Sequence, residues 1–156
     1  MKNPLDFALQ MEKDGEEYYR KQAAATSNQQ IKQVFTTLAV DEKGHFETLS
    51  TIKATGKYQY VGSESLQEIK TIFAKEPTEG DDFRRDKGLA DVYQEAVGFE
   101  KNSIALYKEL AEKAVDKKER ELFLRLVAEE EMHHSILWKL MELSRRPEEW
   151  YPYLNF

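Results

Sequence analysis

The apolar pattern of this chain predicts an all-α fold. It reads as a four-helix bundle made of two copies of one helical hairpin, joined by a long crossover that carries a short helix. Three observations lead there. Apolar residues recur every three or four positions along four long stretches, the period of one helix face. Asn, Ser, Asp, Pro and Gly stand where those stretches should start and stop. A set of polar residues inside the stripes also repeats at a single offset. Glu12, Tyr19, Glu42 and His45 recur 88 residues later as Glu100, Tyr107, Glu130 and His133.

The first helix should run from Pro4, which suits a first turn with Asn3 as its cap, to about Ala25. Its inner stripe is Leu5, Ala8, Leu9, Glu12, Tyr19 and Ala23, with Asp14, Glu16 and Glu17 on or near the wet face. Ser27 and Gln30 form a capping-box pattern for a second helix from Ile31 to about Ala54, ending near Gly56. Ile31, Phe35, Leu38, Leu49 and Ile52 fall on one face of it, together with Glu42 and His45. From 57 to 85 the long period breaks into a crossover. Gly62, Ser63, Glu64 and Ser65 can cap a short helix holding Leu66, Ile69, Ile72 and Phe73, which Pro77 and Gly80 end.

Asp86 caps the third long helix, whose stripe is Leu89, Tyr93, Ala96, Glu100, Tyr107, Leu110 and Ala114. Asp116 with Glu119 is another capping box, so the next turn is tight. The fourth long helix points Phe123, Leu126, Glu130, His133, Leu137 and Leu140 inward and stops at Pro147. The tail, 147–156, is too aromatic for a free polar terminus and should pack on the bundle or on a second subunit. An 88-residue repeat is too long for a solenoid unit and implies a duplicated hairpin about a pseudo-twofold axis.

The chain's 156 residues suit one domain, 1–156, with a single core. It has no Cys, which excludes disulfides and thiolate metal sites. Its formal charge of −6 argues against nucleic acid and anionic membrane surfaces. No apolar run resembles a signal peptide or a bilayer span, so a cytoplasmic protein is expected.

Four carboxylates and two imidazoles in the middle of an apolar core need an explanation. Each ionised carboxylate taken from water costs several kcal/mol even after relaxation, and protonating all four would require large pKa rises. Two divalent cations balance the four negative charges directly. Oxygen donors with one imidazole per ion suit iron or manganese, with zinc or cobalt as other occupants. Glu12 and Glu100 should be terminal ligands, Glu42 and Glu130 should bridge, and His45 and His133 should complete one ion each. Asp41 and Glu129 precede the bridging pair and could accept the other ring N–H of a ligand His, or be ordinary surface charges. Tyr19 and Tyr107 could hydrogen-bond the ligand carboxylates, donate electrons, or be plain core tyrosines. His134 also follows a Glu, Glu131, by three positions, but it lies off the stripe and receives no role.

On these residues the chain resembles the ferritin-like superfamily, and within it the rubrerythrin-type di-iron proteins. The segments that carry the likeness are Glu12 with Tyr19, 41–45, 100–107 and 129–133. The resemblance implies two iron ions, an oxidant such as H2O2 or O2, an external electron donor such as rubredoxin, and a homodimer. The chain departs from rubrerythrins proper in lacking the cysteine-held rubredoxin-like domain. It also has Ser103 where an extra Glu would follow the third-helix ligand. The ligand set is similar to that of bacterioferritin as well, but Lys43 stands where a haem-ligating Met would, so no haem is expected. The functional readings are then a peroxide- or O2-reducing oxidoreductase, a ferroxidase and iron-storage protein, or a non-enzymatic metal-binding helical module.

Overall fold

The computed structural model describes residues 3–60, 65–74, 77 and 82–147. Five α-helices lie among them: α1, Pro4–Ala25; α2, Gln29–Thr55; α3, Ser65–Ile72; α4, Lys87–Lys113; and α5, Lys117–Arg145. A 3-10 turn, Phe83–Arg85, at the end of the aperiodic crossover precedes α4. The architecture is the expected all-α, ferritin-like bundle. The proposed cap at 62–64, the stop at Gly80 and the aromatic tail beyond Pro147 lie outside the described residues.

Each long helix starts on a side-chain acceptor that satisfies a free backbone N–H. Asn3 Oδ1 takes the Leu5 N–H, Asp86 that of Gly88 and Asp116 that of Lys118. For α2 the expectation needs correcting. Its cap is Asn28, whose Oδ1 accepts from the Ile31 N–H at 3.0 Å, not Ser27. The helix therefore begins at Gln29, two residues before Ile31. Gly56 ends α2 in the left-handed region at φ 71°, a conformation that a residue without Cβ adopts cheaply.

α1 packs chiefly on α2, and α4 on α5, so each hairpin is a unit and the two meet along the bundle axis. Three-residue turns close both hairpins, at 26–28 and 114–116. The inner stripes fill two apolar layers. One holds Tyr19, Phe35, Leu38, Tyr93, Ile136 and Leu140. The other holds Ala8, Leu49, Tyr107, Phe123 and Leu126. Each Leu, Ile and Phe among them contributes about 1.5–3 kcal/mol by leaving water. The crossover helix α3 lies against α2. Its Ile69, with Phe73 and Phe83, extends the first layer and closes that end of the bundle. Between the layers sits the polar centre.

Candidate metal centre

Helical spacing alone explains how the six residues meet. Glu42 and His45 share a face of α2 one turn apart, as Glu130 and His133 do on α5. Glu12 and Glu100 come in from α1 and α4 across the axis. All six are at most 2% exposed. Glu12, Glu42, His45 and Glu130 each offer one ligand atom within 4.8 Å of the others, and so do Glu42, Glu100, Glu130 and His133. Glu42 and Glu130 belong to both groups, whereas Glu12 with His45, and Glu100 with His133, belong to one each.

The atoms face one another without bonding. His45 Nδ1 lies 2.9 Å from Glu130 Oε1 and 3.4 Å from Glu12 Oε2. His133 Nδ1 lies 3.1 Å from Glu42 Oε1 and 3.4 Å from Glu100 Oε1. Yet Nδ1 of both rings, both oxygens of Glu42 and of Glu130, and Oε2 of Glu12 and Glu100 have no hydrogen-bond partner among the described residues. Close contacts without hydrogen-bond alignment mean that potential ligand atoms converge on shared points. Buried polar groups left unsatisfied in this way are rare and costly, and a cation at each point removes the penalty for all of them. The donor set therefore fits two metal ions.

The electrostatics of the bare centre agree. Burial first, and then the neighbouring carboxylates, push Glu42 and Glu130 well above the usual carboxylate range. Burial also acts to raise Glu12 and Glu100, but His45 beside Glu12 and His133 beside Glu100, with the crossed tyrosine hydroxyls, hold them below it. Burial opposes a charge on His133, yet Glu100 and Asp41 leave it well above its ordinary value.

The flanking groups split into those that pair symmetrically and those that do not. Each tyrosine crosses to the other hairpin: the Tyr19 hydroxyl donates to Glu100 Oε1 at 2.5 Å, and the Tyr107 hydroxyl donates to Glu12 Oε1. Asp41 Oδ2 accepts from the His133 ring at Nε2, 2.8 Å away. Glu129, its counterpart 88 residues on, does not reach His45. It accepts instead from the Tyr60 hydroxyl, over whose ring the Arg125 guanidinium sits at 4.2 Å. Among the described residues His45 Nε2 has no hydrogen-bond partner. His134 stacks on Trp138 and lies away from the centre.

Two participants escaped the sequence reading. Tyr60 lies in the aperiodic stretch after Gly56, where no spacing signals its position. Gly15 is three residues after Glu12 on the buried face of α1, and a glycine inside a helical stripe is itself a signal of close approach. A methyl there would meet the Phe99 ring at 2.9 Å and Glu42 Oε2 at 3.0 Å.

Antiparallel helical hairpins that enclose paired Glu and Glu-x-x-His donors define a class, the carboxylate-bridged two-metal bundles. A family model described as Rubrerythrin matches residues 3–141. The chain belongs to the rubrerythrin family, a ferritin-like di-iron family. No curated protein and no solved structure matches it. Among the described residues, no helix is long and apolar enough to cross a membrane.

Proposed function

We propose that this protein is a di-iron carboxylate oxidoreductase that reduces hydrogen peroxide or dioxygen at the bundle centre, with electrons from an external one-electron donor such as rubredoxin. The observation that carries the reading is the convergence of unpartnered, buried donor atoms from Glu12, Glu42, His45, Glu100, Glu130 and His133 on two neighbouring points. Glu12 and His45 would hold one ion and Glu100 and His133 the other, with Glu42 and Glu130 offering donors to both. When bound, an iron pair supplies the two electrons that cleavage of an O–O bond consumes.

The protein supplies position, orientation and dryness. Tyr19 and Tyr107 keep their protons, because burial and the adjacent carboxylates push both phenols well above their ordinary range. Each can therefore fix one oxygen of a terminal carboxylate by donating to it, leaving the other free for an ion. Asp41 accepts the Nε2 proton of His133 and so fixes the ring with Nδ1 aimed inward. The two apolar layers exclude bulk water from above and below.

The test is peroxide consumption by iron-loaded protein with a chemical reductant, alongside Glu42→Ala checked for retained helix content. Rapid turnover that the variant loses supports the reading. Iron binding without consumption of peroxide or O2 contradicts it, and a hollow multi-subunit shell by size-exclusion mass would favour iron storage instead.

A further inference from the structure

Between α1 and α4 the surface opens into a pocket of about 230 Å³, lined by Phe7, Gln10, Met11, Asp14, Phe99 and Asn102. Its walls are the apolar side chains and its rim is Gln10, Asp14 and Asn102. Phe7 stands 56% exposed there, an unusual setting for so large an apolar group. The pocket follows the pseudo-twofold axis: Met11 and Phe99 are 88 residues apart, as are Gly15 and Ser103. The two halves have diverged at this point. Ser103 fills its position and donates to Met11 Sδ and to the Phe99 carbonyl. Gly15 leaves its position empty, and the Phe99 ring lies over it.

That arrangement leaves little between solvent and the centre. The point above Gly15 is 2.9 Å from the Phe99 ring and 3.0 Å from Glu42 Oε2, a buried oxygen with no partner. The half-buried Phe99 ring thus stands between the pocket and an unpartnered carboxylate of the centre.

We propose that this pocket is the subsite for the organic part of a substrate, a small uncharged hydroperoxide with an apolar body, and that Phe99 is the gate through which its peroxide end reaches the centre. Size favours an organic ligand over H2O2, since an apolar cavity of about 150 Å³ already holds benzene whereas one water occupies about 30 Å³. Charge favours a neutral one: Asp14 sits on the rim of a chain whose net charge is −6, and no cationic side chain among the described residues lines the pocket. Apolar walls with a few polar groups at one edge suit such a molecule. The substrate assignment rests on the peroxide-reducing function proposed above. The O–O bond of ROOH breaks; two electrons from the external donor and two protons from solvent yield ROH and water.

Two measurements on the native, metal-containing protein separate the subsite from the reaction. In equilibrium dialysis, cumyl alcohol, the inert product analogue, should bind at one molecule per chain. Binding should be lost in Asn102→Trp, which fills the pocket from its exposed rim, and kept in the control Leu124→Trp. In turnover, Asn102→Trp should lower kcat/KM for cumene hydroperoxide relative to H2O2 by about tenfold or more, and Phe99→Ala should raise that ratio. Absence of cumyl alcohol binding in the unaltered protein, or binding indifferent to Asn102→Trp, overturns the subsite. Binding that follows the variants while the kcat/KM ratio does not move overturns the hydroperoxide assignment. Binding that follows them in a protein inert to both peroxides overturns the peroxide-reducing function and leaves the subsite standing.

Discussion

The two halves of the centre began as copies, and they differ most in what lies behind each histidine. Behind His133, Asp41 takes the ring proton at 2.8 Å. Behind His45, the matching residue Glu129 is turned outward to Tyr60, a side chain that has no counterpart in the repeat. The inward-facing donors, in contrast, have kept their symmetry down to the crossed tyrosines. Duplication preserves what two helices must present to a shared ion. The outer contacts follow whichever loop happens to pass, here the start of the crossover after α2. The two ion positions should therefore be unequal in affinity, with the Glu100–His133 position the better supported.

The largest effect expected from breaking this arrangement comes from a residue common to both halves. Glu42→Ala should empty both positions, so metal content by mass spectrometry should fall from two ions per chain to none; retention of two would show that Glu42 does not bridge. Next comes the contrast itself. Asp41→Asn should weaken binding at the His133 position by about 10–100-fold, as loss of a ligand-orienting partner typically does. Glu129→Gln should change affinity little, and chelator competition on both variants reads the difference. Equal losses would erase the asymmetry.

Smaller effects concern the tyrosines. Tyr19→Phe leaves Glu100 Oε1 without its hydroxyl donor in a dry core and should cost about 1–3 kcal/mol of stability in the metal-free protein. Urea unfolding measures it, and an unchanged midpoint would mean that the carboxylate finds another partner. Tyr60→Phe acts at a half-buried site and should cost about 0.5–1.5 kcal/mol. If Glu129, once released, swung to His45, metal affinity at that position would rise, and the two halves would become more alike.

Sequence alone carried the bundle and the meeting of its six central donors, because both follow from periodicity. Residues three or four apart share a helix face, and one offset of 88 residues told Glu130 and His133 from the neighbouring Glu129, Glu131 and His134. It did not carry features fixed by how separate elements approach. Tyr19 and Tyr107 could be placed on the inner stripes, but not assigned to carboxylates of the opposite hairpin. The cap of α2 falls on Asn28 rather than on Ser27, because the two are adjacent polar acceptors and only the backbone geometry chooses between them. Tyr60 sits in an aperiodic connection, and Gly15 matters through the space it leaves rather than through any group it carries.

The central claim is that two ions share the buried carboxylates, and anomalous diffraction from natively purified protein at the iron and manganese edges tests it directly. Two peaks are expected at the bundle centre, one beside Glu12 and His45 and the other beside Glu100 and His133, with Glu42 and Glu130 in contact with both. A centre without metal, or metal found only on exposed carboxylates, would contradict it.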